Sequence, residues 1–263
     1  MQGSLQRLVD IYNGDDTCLV IPVYQRNYDW RKENCGQLFD DLIDTIVQNR
    51  PNHFFGAIVY KNEGAIGEST IIDGQQRLTT VNLLFLAMYR ALAEGRVQPD
   101  GRLAERINVS YLRSEYADGD HKLKLKPVKA DAAAYQKLFG PSEHFDESSN
   151  ITANFRYLLS RIEHMEVSPK QLFEAIRKLQ VMRLQLEQSD DAQLIFESLN
   201  STGLDLSEAD MIRNYILMGL DRVTQTELYE EYWNRIEISV GYDTSAFIRH
   251  YLTAKLGRTP KIS

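Results

Sequence analysis

Ile71-Ile72-Asp73-Gly74-Gln75-Gln76-Arg77-Leu78-Thr79-Thr80 is the stretch from which the rest of the chain is read. Two β-branched apolar residues run into Asp-Gly, three long polar side chains follow, and Leu78 to Leu92 is nearly unbroken apolar helix material. The pattern predicts a strand, a tight turn and a helix N-terminus, with the polar groups gathered at the turn. Such a junction aims backbone N–H groups and the positive end of a helix at one spot, which suits a phosphate or another anion. Gly74 permits a positive φ or a close backbone approach, and Arg77 adds a planar, permanently charged fork. A plainer reading stands beside this one: Asp-Gly before a helix is ordinary turn chemistry, with Asp73 as a cap. No glycine-rich loop of the P-loop or dinucleotide type is present.

The 263 residues suffice for one large domain or two smaller ones. No apolar run is long enough to span a bilayer, and Met1–Asp10 lacks the basic start and apolar core of a signal peptide. Cys18 and Cys35 lie far apart and match no CxxC pattern, so a reduced, cytoplasmic protein is expected. The net charge of −7 speaks against general polyanion binding and requires any nucleic-acid contact to come from a local basic patch. The end, Lys255 to Ser263, reads as the cut edge of a longer protein.

Apolar spacing predicts helices over Leu5–Tyr12, Glu33–Gln48, Gln75 to about Gly95, Ala130–Phe139, Ile151–Met165 and Ala192–Leu199. Strands are expected over Cys18–Pro22, Phe54–Tyr60, Thr70–Ile72 (antiparallel to the preceding one), Lys122–Lys126 and Leu179–Glu187. Ser168-Pro169 reads as a helix start, and Ser207–Asp210 and Thr224–Glu227 as capping boxes. Gly203 marks a turn with Asn200, and a final helix carries Phe247, Ile248, Tyr251 and Leu252. Pro99 with two glycines makes Gly95–Gly101 a plausible boundary, dividing the chain into 1–95 and 96–263.

Three polar constellations exceed what packing alone asks for: Ile21-Pro-Val-Tyr-Gln-Arg-Asn-Tyr-Asp-Trp30, Ile72-Asp-Gly-Gln-Gln-Arg-Leu-Thr-Thr80, and Ile195 to Asn214. In this order they resemble the N-terminal domain of GmrSD-type restriction proteins, over about Leu5 to Leu220. Met211 stands where Leu is usual, and Cys35 lies in the helix after the first motif. The resemblance implies an α+β fold, with a ParB/sulfiredoxin-like mixed sheet and helices in the first part and a mostly helical subdomain after it. It also implies a bacterial phage-defence or modification-dependent restriction protein whose DGQQR segment binds and hydrolyses a nucleoside triphosphate with Mg²⁺. The partners implied are DNA, including modified phage DNA, and an HNH-type nuclease domain in a C-terminal part or a separate chain. A second copy of the chain is a further candidate partner.

Carried over residue by residue, Gly74, Gln75, Gln76 and Arg77 would hold phosphates, with Thr79 and Thr80 adding hydroxyls. Asp73 would orient a Mg²⁺-bound or attacking water. Catalysis is thereby expected of Asp73, Gln76 and Arg77. Gln25 and Arg26 would approach the same pocket, or lie on a surface loop; Tyr24, Tyr28 and Trp30 would stack a base, or pack in the core as aromatics near a short strand more often do. Asn200 and Arg213 are expected to close the nucleotide site and Asp210 to be structural; the alternative is that they only tie the helical part to the first subdomain.

Lys122, Lys124, Lys126 and Lys129 form a cluster interleaved with apolar residues, so one strand face would be basic and could meet a DNA backbone; a solvated face would look the same. The histidines are scattered without metal-ligand spacing, and neither a His/Asn/His nuclease set nor a G-x-S-x-G elbow occurs. The expected function is therefore NTP binding and hydrolysis that gates DNA engagement or a nuclease outside this chain. The rival is a nucleotide-sensing, DNA-binding module without turnover. A sulfiredoxin-type redox role is disfavoured, because no cysteine lies at the Asp73–Arg77 turn.

Overall fold

The computed structural model describes residues 1–14, 17–62, 67–114, 122–187, 189–200 and 207–259, except for the side chains of 129, 130, 197, 199 and 200. The chain folds as two units, Met1–Pro22 with Asn27–Asp190 and Val23–Arg26 with Asp191–Ser263.

The first unit contains β1 (Gln2–Arg7), β2 (Cys18–Val20), α1 (Lys32–Val47), β3 (His53–Asn62), β4 (Glu68–Asp73), α2 (Gln75–Ala93), α3 (Leu103–Ile107), β5 (Leu125–Lys126), α4 (Lys129–Lys137), α5 (Asn150–Glu163), α6 (Pro169–Ile176) and β6 (Leu179–Leu186). Its strands form a six-stranded mixed sheet in the order β1-β6-β3-β4-β2-β5. β1 and β4 run antiparallel to their partners β6 and β3, whereas β3–β6, β2–β4 and β2–β5 are parallel. With its helices this is an α+β fold.

Successive side chains point to opposite faces of a strand, yet Ile71 and Ile72 in β4 and Ile58, Val59 and Tyr60 in β3 are all buried, so both faces of these two central strands are covered. α2 is apolar on all sides and buried along almost its whole length, as expected of a helix inside a core rather than on its surface. Past its polar first turns, a buried amide interrupts the apolar run. Asn82 donates to the Tyr111 carbonyl at 3.0 Å and accepts from the Tyr135 hydroxyl, which satisfies both ends of its amide. α5 packs along α2 and α1, and α6 along α1.

The first unit continues past residue 95, where glycines and Pro99 suggest a boundary; β5, β6 and α3–α6 are built into the same unit as the first strands. The helix expected over Leu5–Tyr12 is replaced by β1 followed by a short 3₁₀ turn, Leu8–Tyr12. β1 is an edge strand whose side chains are nearly all exposed, so it carries no apolar alternation to announce it.

The second unit contains α7 (Ala192–Asn200), α8 (Glu208–Leu217), α9 (Arg222–Leu228), α10 (Asn234–Ser239) and α11 (Thr244–Leu256). Ser207 and Asp210 form the expected capping box of α8. α9 begins earlier than its Thr224 suggests: Asp221 is the N-cap and takes the N–H groups of Val223 and Thr224, while the Thr224 hydroxyl also donates to it at 2.6 Å. The expected turn residue Gly203 lies outside the described residues. Among the described residues no helix is long and apolar enough to cross a membrane.

Candidate functional site

β4 ends at Asp73 and α2 starts at Gln75, with Gly74 between them as the helix N-cap at φ 90°. A Cβ on Gly74 would fall 2.4 Å from Ile58 Cδ1 and 2.8 Å from the Ala57 carbonyl oxygen, so both φ and space demand glycine. Asp73 therefore does not occupy the N-cap position, and the plainer reading of it as that cap is set aside. The first intrahelical bond runs from the Leu78 N–H to the Gly74 carbonyl at 3.0 Å. The N–H groups of Gln75, Gln76 and Arg77 precede it and belong to the positive end of α2.

Arg77 is half-buried on the first turn of α2 and lies against β3. One guanidinium nitrogen donates to the Ala57 carbonyl at 3.3 Å, and among the described residues it has no carboxylate partner. The strand it rests on is irregular. The register of β3 with β6 shifts between Phe54 and Ala57, where Gly56 has φ 106°.

Gln76 and Thr80 take a different part from the one expected. The Gln76 side chain is buried; its oxygen accepts from the N–H groups of Asp29 (3.0 Å) and Trp30 (3.3 Å), and its nitrogen donates to the Asn27 carbonyl (3.1 Å). It clamps the loop of the first motif onto α2, and its amide is committed there rather than to phosphate or water. Thr80 is fully buried, with its hydroxyl donating to the Gln76 carbonyl at 2.9 Å and bonded to the Tyr28 hydroxyl at 2.7 Å. Thr79 and Gln75 are buried as well. Tyr28, expected to stack a base, has its ring in the core. Its hydroxyl is shared among Thr80, Asn154 and Cys35, and burial holds the phenol far above its ordinary pKa. Trp30 is half-buried, edge-on to Phe55 with ring centroids 6.3 Å apart.

Asp131, at the start of α4, fixes the same loop: its carboxylate accepts the Tyr28 N–H at 2.6 Å. Burial raises its pKa to about 6, partly offset by that hydrogen bond. No motif marks Asp131. Gly56, by contrast, could have been found, since an isolated glycine inside a strand pattern points to a bulge or a close approach.

Tyr24, Gln25 and Arg26 belong to the second unit, with Tyr24 and Gln25 buried rather than presented on a surface loop. There Arg213 is buried among three partners. It donates to the Tyr24 carbonyl at 2.9 Å, to Glu237 at 2.7 Å and to Asp210 at 2.6 Å. Glu237 also accepts from Trp233 at 2.7 Å and Tyr229 at 3.3 Å. A guanidinium so engaged holds the first and third motifs together within this unit; it is not presented to a phosphate. Asn200 is the last residue of α7, and its side chain lies outside the described residues.

The lysine row is not one basic face. Lys124 is buried, and its ammonium donates to the carbonyls of Tyr12 (3.2 Å), Gly14 (3.1 Å) and Ser110 (3.0 Å), so it is withdrawn from any DNA backbone. Lys126 lies 3.5 Å from the buried Glu68, and Lys122 is exposed. Among the described residues no group of three or more His, Cys, Asp or Glu side chains could hold a metal ion. Both cysteines are buried and unlinked.

The structure thus brings Asp73, Gly74 and Arg77 together at one helix end, and joins Tyr24 to Arg213 in the other unit. No curated protein matches the chain. The family described as GmrSD restriction endonuclease, N-terminal domain, matches it over residues 7–217 and so takes in all three polar motifs. The chain therefore belongs to the GmrSD restriction endonuclease N-terminal domain family.

Proposed function

We propose that the β4–α2 turn binds the phosphates of a nucleoside triphosphate and that this chain is the nucleotide-responsive module of a restriction system. The observation that carries the reading is Arg77: a guanidinium on the first turn of α2, with no carboxylate partner among the described residues. Fixed cationic donors at a helix N-terminus suit phosphate oxygens. Gly74 lets the backbone come close, and the N–H groups of Gln75 and Gln76 add donors. Mg²⁺ would arrive on the triphosphate, since that ion is usually held by substrate phosphates and one or two carboxylates. Asp73 is the carboxylate of the turn and a hard oxygen donor suited to it.

Hydrolysis would use Asp73 to orient the water and Arg77 to stabilise charge on the transferring phosphoryl group. Nucleotide turnover would then gate engagement of DNA, or its cleavage by a nuclease domain outside this chain. The ParB/sulfiredoxin-like likeness read from the motifs agrees with a phosphate-gripping turn at this place in a mixed sheet.

A second reading, nucleotide binding without turnover, draws support from Gln76 and Thr80, whose polar groups serve the fold and cannot position water. Phosphate release with each of the four NTPs and Mg²⁺, for the wild type, Asp73→Asn and Arg77→Ala, separates the two. Turnover abolished in both variants establishes the hydrolase. Tight binding without turnover, weakened in Arg77→Ala, establishes the sensor. Neither binding nor turnover overturns both.

A further inference from the structure

We infer that Gly56, on β3, is a positioning residue for Arg77, and that the bulge around it exists to seat the guanidinium at the phosphate-binding turn. The inference rests on the nucleotide reading above and adds a residue to it.

Three observations converge on Gly56. First, a Cβ placed there would lie 2.8 Å from Arg77 Nε, 3.0 Å from Cζ and 3.2 Å from an Nη. The plane of the guanidinium thus occupies the volume where any other residue would carry its side chain. Second, the strand departs from regular pairing at this place: the β3–β6 register shifts between Phe54 and Ala57, and Gly56 adopts φ 106°, which L side chains rarely adopt. Third, the next residue supplies the hydrogen bond that orients the group, from an Arg77 Nη to the Ala57 carbonyl at 3.3 Å. The same strand segment therefore gives Arg77 both a flat seat and a polar anchor.

The arrangement is mirrored at Gly74, whose missing Cβ lets the helix start approach the same strand at Ala57 and Ile58. Two glycines bring β3 and the start of α2 into contact: Gly74 sets the backbone and Gly56 sets the side chain. A flexible cation could in principle move aside, but a displaced guanidinium would no longer rest on Ala57. Its phosphate-binding geometry would go with it, because bidentate recognition depends on the fixed plane.

The test is a double-mutant cycle on the full chain, read by equilibrium binding of Mg²⁺ with ATP, GTP, CTP and UTP and by thermal melting. Arg77→Ala is expected to weaken binding by about 10- to 100-fold, the range for losing one charge-assisted interaction. Gly56→Ala should approach the same loss, and Gly56→Ala/Arg77→Ala should bind no more weakly than Arg77→Ala alone. If Gly56→Ala folds poorly, melting decides instead. The double variant should then melt above Gly56→Ala, because removing the guanidinium vacates the space the new methyl needs. The inference is overturned if Gly56→Ala binds like the wild type while Arg77→Ala does not. It is equally overturned if the double variant melts no higher than a poorly folded Gly56→Ala. Unchanged binding in Arg77→Ala itself would instead overturn the nucleotide reading.

Discussion

Arg77 and Arg213 come from two polar motifs of the same chain, yet the structure uses them in opposite ways. Arg213 is buried in the second unit between Asp210, Glu237 and the Tyr24 carbonyl, and its charge is answered twice by carboxylates. Arg77 lies half-buried at the start of α2 in the first unit, with a backbone carbonyl as its hydrogen-bond acceptor. A buried cation with paired anions holds a fold together; one left without an anion beside a helix N-terminus is equipped to receive one. Residue type and motif do not distinguish the two arginines. Their partners do.

This contrast can be broken by substitution. Removing the Arg213 guanidinium leaves the buried Glu237 carboxylate without a counter-charge, so Arg213→Ala should destabilise by about 3–5 kcal/mol. Urea unfolding measures the loss, and faster amide exchange over Glu208–Leu217 and Asn234–Ser239 would place it. A loss under 1 kcal/mol would deny Arg213 its fold-holding part.

Asp131 gives a second large effect, in the first unit. Its folded pKa of about 6 exceeds the ordinary 3.8, so the native state keeps a proton that the unfolded chain has released. Stability from this group is full below about pH 4 and is lost as pH rises through about 6, a change of about 3 kcal/mol. Asp131→Asn, which keeps an acceptor for the Tyr28 N–H, should abolish that slope and raise stability at pH 7. An unchanged profile of unfolding free energy between pH 4 and 7 would contradict this.

Gln76→Ala removes the acceptor of two backbone N–H groups and should cost about 1–3 kcal/mol. Its signature is faster exchange of the Asp29 and Trp30 amides; protection as in the wild type would return Gln76 to the candidate catalytic set. The smallest effect sharpens the contrast: Arg77→Ala should change stability by less than about 1 kcal/mol, as expected where no partner is left buried and unpaired.

Much of the first unit was legible because its signals are local. The apolar runs of β3 and β4, the Asp-Gly turn and the apolar run of α2 all lie between His53 and Ala93, and the structure has them as read. β1 was not legible: Gln-Gly-Ser-Leu-Gln-Arg buries almost nothing, and what makes it a strand is pairing with β6, far along the chain. Lys124 shows a limit of pattern reading. A Lys–Leu alternation looks identical whether the lysine faces water or, as here, caps three carbonyls in the interior. The first motif, written without interruption from Ile21 to Trp30, is shared between the units, with Val23–Arg26 in the second and the rest in the first. Of the candidate site, Gly74 and Arg77 were readable from turn and helix-end chemistry. Gln76 and Thr80 looked equally polar there, and only long-range partners, Asn27 to Trp30 and Tyr28, reveal their different work.

The most direct test of the central claim is equilibrium binding of Mg²⁺–NTP to wild type, Arg77→Ala and Lys122→Ala, all verified as folded by melting. The account predicts binding that weakens about 10- to 100-fold in Arg77→Ala and is unchanged in Lys122→Ala. Equal affinity in wild type and Arg77→Ala would contradict it and remove the β4–α2 turn from nucleotide recognition.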